Sequence, residues 1–213
     1  NKIINLNNEA KSSLSLKEFE SIEHLSDLTS LLALITSSPI CPAGWLLNDG
    51  LPDILTRIQN VYKGYHTIIE KEDEILSIYD KEILEINAAG MLRQFKGEYS
   101  SVFRILNSNY VKDRNTLLGY AKKARYRLKF HEALNQLNTI KQIHELESDI
   151  ASDETTLKDW LGDKYNGRTT DWDYLFKAFK WISEVKTFYG QENVTTSFAG
   201  KVCRNTAPEL AVS

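Results

Sequence analysis

Apolar residues recur at spacings of three and four along most of this chain, the period of helices with one buried face. Phe19, Ile22, Leu25, Leu28, Leu32 and Ile35 form the first stripe; Ser15 is its N-cap, Glu18 completes a capping-box pattern, and the helix must end before Pro39. The stretch SSPICPAGWLLNDGLP (37–52) is rich in proline and glycine and reads as a compact connection. From Pro52, the series Leu55, Ile58, Tyr62, Tyr65 and Ile69 predicts a long helix continuing to about Tyr79. Asn87 caps another whose stripe is Leu92, Phe95, Tyr99, Phe103, Leu106 and Tyr110, with the rings facing a core. A break is expected between Asn107 and Asn115, then a short helical piece from Thr116 to Ala124.

Phe130, Leu134, Leu137, Ile140, Ile143, Leu146, Ile150 and Leu157 predict a helix from about Leu128 to Leu161, stopped by Gly162. At ~1.5 Å per residue it would be roughly 50 Å long. Such a rod cannot bury itself, and Ile54 to Tyr79 is the natural antiparallel partner. Thr170, with Asp173 three residues later, opens a last helix carrying Trp172, Leu175, Phe179, Ile182, Val185 and Phe188, closed by Gly190. The expected fold is all-α: a long antiparallel helical hairpin or coiled coil with shorter packed helices. Residues 1–15 read as a linker or lead-in, 16–190 as a single helical domain of insertion type, and 191–213 as a polar, irregular tail.

Composition sharpens this picture at three points. No proline falls between Leu55 and Ala207, so long helices are permitted there. The longest purely apolar run, Leu31 to Ile35, is far short of the ~20 residues needed to span a bilayer, so no membrane partner is expected. Cys41 and Cys203 lie far apart without ligand-spaced neighbours; they read as small buried side chains in a reducing, cytoplasmic setting, a disulfide staple being the alternative. With no Met at its start, the chain reads as an excised piece of a longer protein.

The net charge of −3 conceals an uneven distribution. Arg93, Lys96, Arg104, Lys112, Arg114, Lys122, Lys123, Arg125, Arg127 and Lys129 face only Glu98 and Asp113 in the middle of the chain, while the stretches around Glu70–Glu85 and Glu145–Asp159 are acidic. The densest part, Lys122, Lys123, Arg125, Arg127 and Lys129, could neutralise phosphates, with Tyr120 and Tyr126 stacking on unpaired bases. A solubilising hairpin tip paired with the acidic stretches is the alternative. No phosphate-binding glycine loop, nucleophile elbow or zinc-protease motif occurs, and the four histidines are dispersed among ordinary helix-surface charges. No catalytic, cofactor-binding or metal-binding residue is expected.

With the elements in place, L-x-x-F-x-x-x-Y-x-S at Leu92–Ser101, E-A-L-x-x-L at Glu132–Leu137 and L-G-x-x-Y-x-G-x-x-T-D-W at Leu161–Trp172 stand in a distinctive order. Together they resemble the helical insertion of large bacterial superfamily 1 helicase-like proteins, P-loop ATPases, over about Ile83 to Val185. The resemblance implies a noncatalytic accessory domain whose partners are the parent ATPase domains, with ATP and magnesium held only in the parent's core. Weak contact with nucleic acid or with a partner protein follows from the same reading. The alternative is a structural coiled-coil spacer or a dimerisation or protein-docking module.

Overall fold

The computed structural model describes residues 29–30, 33–191 and 194–203. The lead-in 1–15 and most of the first expected helix, its Ser15 cap included, lie outside them. The described residues are helical, with no strand among them; one isolated antiparallel bridge joins Tyr79 and Ala121. The helices are α1 (Ala43–Leu47), α2 (Leu51–Leu76), α3 (Ala88–Lys96), α4 (Ser108–Gly119), α5 (Phe130–Leu161), α6 (Trp172–Tyr189) and α7 (Thr196–Val202), with 3-10 turns between several of them. Internal contacts divide the chain into two compact units: Asn1–Thr56 with Asp163–Ser213, and Arg57–Gly162.

The contiguous unit, Arg57–Gly162, contains most of α2 and all of α5, and the contacts between these helices run in opposite senses. Arg57 pairs with Asp153, Gly64 meets Ile150, Lys71 Nζ donates to Gln142 Oε1 at 2.7 Å, and the Tyr79 hydroxyl donates to Gln136. A Cβ on Gly64 would lie 2.9 Å from Ile150 Cδ1, so this glycine sets how closely the helices approach. The buried face of α2 carries Ile54, Ile58, Val61, Tyr65, Ile68 and Ile75. This face is rotated from the expected stripe: Ile69 is exposed, because residues one position away complete the seam.

This unit is more than a hairpin. α3 packs closely along α5, and Leu92 and Phe95 share one core with Tyr79, Ile83, Tyr99, Tyr110, Leu117, Ala133, Leu137 and Ile140. Phe95 stacks on Phe130 with ring centroids 5.8 Å apart, and Tyr110 closes the cluster 5.7 Å from Phe95.

The helix expected to run from Asn87 past Leu106 is two helices. α3 ends at Lys96, and Val102–Leu106 forms a 3-10 turn. α4 then begins at Ser108, where a break was expected: the Asn107 side chain accepts from the N–H groups of Asn109 and Tyr110 and caps it. The short piece Thr116–Ala124 is correspondingly absent as a helix of its own, since α4 ends at Gly119. Tyr99 still reaches the core through the turn, whereas Phe103 and Leu106 are 70% and 80% exposed.

In the other unit, Trp45 of α1 stacks on Phe179 of α6 at 5.0 Å, and Tyr189 stacks on Phe198 of α7 at 4.3 Å. Trp181 Nε1 donates to the Leu34 carbonyl, Tyr174 to that of Ile40, and Lys186 to that of Asn48. α6 is capped by Asp171, which accepts from Tyr174 N, and not by Thr170; Thr170 is buried and donates to the Gly167 carbonyl at 2.8 Å. Gly190 ends α6 at φ 86°, a conformation glycine adopts without a steric cost. The tail expected to be irregular from residue 191 contains α7, whose Phe198, Ala199 and Val202 are buried.

Candidate nucleic-acid interface

The basic segment is a non-helical connection between α4 and α5. Its start is strapped to the end of α2: Asp80 N donates to the Tyr120 carbonyl at 2.8 Å, and Lys122 N to the Ile78 carbonyl at 3.0 Å. Its end is fixed at the α5 N-terminus, where Glu132 accepts the Lys129 N–H at 3.1 Å, so that one of the orphan donors of a helix start is satisfied. A flexible-looking run of cations is thereby held at both ends by backbone hydrogen bonds.

The five cations do not share one role. Lys122 Nζ donates to the Leu76 carbonyl at 2.5 Å, where a cation complements the negative end of the α2 dipole. Lys129 Nζ lies 3.5 Å from the Glu132 carboxylate. That carboxyl is held below its ordinary range, first by the Lys129 backbone N–H and further by the ammonium. Lys123, Arg125 and Arg127 are exposed, and their side chains take no hydrogen bond or ion pair among the described residues. These three remain open to an outside anion.

The two tyrosines that sequence placed as stacking platforms are packed against the core. The Tyr126 ring meets Tyr79 edge-on at 5.9 Å, and its hydroxyl accepts from Gln136 Nε2 at 3.0 Å. Sequence reasoning missed instead the neighbouring turn Val102–Leu106, whose Val102, Phe103, Ile105 and Leu106 are exposed. Arg104 of this turn lies over the Phe130 ring, 4.2 Å from its centroid, which places the turn beside the start of α5 and the end of the basic connection. The signal was present in the sequence as four apolar residues around one arginine, but helical spacing disguised it as a core stripe.

Among the described residues, no group of three or more His, Cys, Asp or Glu side chains is placed to hold a metal ion, and no helix is long and apolar enough to cross a membrane. A cleft of about 330 Å³ is bordered by Asp49, Leu51, Pro52, Lys186 and Gln191. Ser183 and Thr187 also line it; Gln191 Nε2 donates to Asp49 at 2.8 Å, and the Lys186 ammonium to the Asn48 carbonyl. Comparison of the chain with protein-family models, curated proteins and solved structures gave no match.

Proposed function

We propose that this chain is a noncatalytic helical accessory arm of a helicase-like ATPase, and that its basic connection contacts nucleic-acid phosphates. The observation that carries the contact is the exposure of Lys123, Arg125 and Arg127 on a segment anchored at both ends. Anchoring lowers the ordering cost of binding, and each phosphate neutralised releases condensed counterions. The parent assignment rests on the motif order at Leu92–Ser101, Glu132–Leu137 and Leu161–Trp172.

The test is binding of a fluorescent single-stranded oligonucleotide as a function of salt. Replacing Lys123, Arg125 and Arg127 together by Ala should reduce the log-log salt slope by roughly 2, at about 0.7 per phosphate contact. An unchanged slope, or no binding by the wild-type chain at low salt, would defeat the reading.

A protein-docking module is the second reading, favoured by the exposed turn Val102–Leu106. It would be supported by a partner whose affinity falls with Phe103→Ser and is insensitive to salt.

A further inference from the structure

Cys41 stands just before α1 and Cys203 just after α7, 162 positions apart, yet their sulfur atoms lie 3.7 Å from one another. Both are free thiols and both are buried, each 1% exposed. Their positions are fixed by packing: α1 lies against α7, Phe198, Ala199 and Val202 are buried, and Cys203 N donates to the Ala199 carbonyl at 2.9 Å. Two ordinary buried cysteines have no need to meet, since each packs as a small hydrophobe wherever space allows.

We propose that Cys41 and Cys203 form a reversible intramolecular disulfide, made by exchange with a low-molecular-weight disulfide. The Cys41 thiolate attacks one sulfur of the small disulfide, whose S–S bond breaks; the first small thiolate leaves and takes the Cys41 proton. Cys203, as thiolate, then attacks Cys41 Sγ, expels the second small thiol, and passes its proton to it. Two protein thiols are oxidised and one small disulfide is reduced to two thiols. Closure needs the sulfurs to move from 3.7 Å to about 2.05 Å.

The order of attack follows from the contact itself. The hydrogen bond between the two sulfurs holds the Cys41 thiol below its ordinary range, while that bond and burial push Cys203 up. Cys41 is therefore the entering sulfur and Cys203 the resolving one. With both thiols buried, exchange waits on a local opening around them and is slow.

Topology gives the bond its effect. Cys41 belongs to the first chain segment of its unit and Cys203 to the second, with the whole of Arg57–Gly162 between them in sequence. The bond would close a loop that joins the two segments covalently and restricts the unfolded chain.

The experiment equilibrates the purified chain with oxidised glutathione or with dithiothreitol, maps non-reduced peptides by mass spectrometry, and follows thermal unfolding. A Cys41–Cys203 linked peptide, a mass loss of about 2 Da, and a melting temperature about 5–10 °C higher in the oxidised form are expected. Cys41→Ala and Cys203→Ala should each abolish the shift. Should either variant fail to fold, the wild-type peptide map decides alone. Glutathione adducts without the linked peptide, disulfides only between molecules, or two persistently free thiols would overturn the proposal.

Discussion

The Tyr79 hydroxyl donates to Gln136 Oε1 at 2.6 Å, and the same amide donates from Nε2 to the Tyr126 hydroxyl at 3.0 Å. One buried glutamine on α5 thus ties the residue beyond the end of α2 to the basic connection. Burial pushes the Tyr79 hydroxyl above its ordinary range, so it stays a neutral donor. Replacing Gln136 by Leu removes the acceptor of the Tyr79 hydroxyl and the donor to the Tyr126 hydroxyl, and should cost about 1–3 kcal/mol in urea unfolding. The double change Tyr79→Phe with Gln136→Leu removes both groups of the Tyr79–Gln136 bond and should recover part of the loss; additive losses would show that this bond contributes little.

Lys122 and its neighbour Lys123 should separate in their effects. Lys122 caps the α2 C-terminal carbonyl of Leu76, so Lys122→Ala should lower stability by about 0.5–1 kcal/mol while barely altering the salt slope of oligonucleotide binding. Lys123→Ala should do the reverse. Equal effects of the two on binding would mean that Lys122 leaves its cap when nucleic acid arrives.

Phe95 and Phe103 fall on one helical stripe in sequence, but one is fully buried and the other 70% exposed. Phe95→Ala should cost roughly 3–5 kcal/mol, whereas Phe103→Ser should change stability by no more than about 0.5 kcal/mol. Thermal melts of the two variants decide the matter. A large loss from Phe103→Ser would place that ring in the core, as the sequence stripe alone suggests.

The Tyr99 hydroxyl is pushed up to about 12 by burial and by the hydrogen bond it donates to the Asp113 carboxylate at 2.8 Å. In the unfolded chain it would ionise near 10. Between these values the unfolded state has released a proton that the folded state retains, so stability falls as pH rises through this window and is intact below it. Unfolding midpoints measured from pH 9 to 12 should fall less steeply for Tyr99→Phe than for the wild type. Parallel curves would assign the alkaline loss to other tyrosines.

The long elements were legible because their signals are redundant. α5 carries its apolar period across eight turns and ends at Gly162, whose φ of 57° marks the stop. Asn87 was legible as a cap because its side chain does accept from Gly90 N, at 2.9 Å. The break after Lys96 was hidden because Tyr99 and Tyr110 reach the same core as Phe95 from outside α3, which leaves the helical spacing unbroken in sequence. Asn107 read as the end of a helix when it is the beginning of one, since a capping asparagine and a turn asparagine look alike without their partners. The basic site was legible as composition but not as roles: only geometry separates Lys122 and Lys129, which are engaged internally, from Lys123, Arg125 and Arg127. The proximity of Cys41 and Cys203 has no local signal at all.

The division of the chain into a contiguous unit and a unit assembled from two separated segments bears on how it emerges from the ribosome. Residues 57–162 have every contact partner of their own unit available once they leave the tunnel, and can fold then. Residues 33–56 must wait until Asp163 and beyond have been made, at about 5–20 residues per second. For those seconds Trp45 and Leu46, both buried in the finished unit, have no core to enter. Synthesis therefore keeps this short apolar stretch open to solvent until the second segment of its unit has emerged.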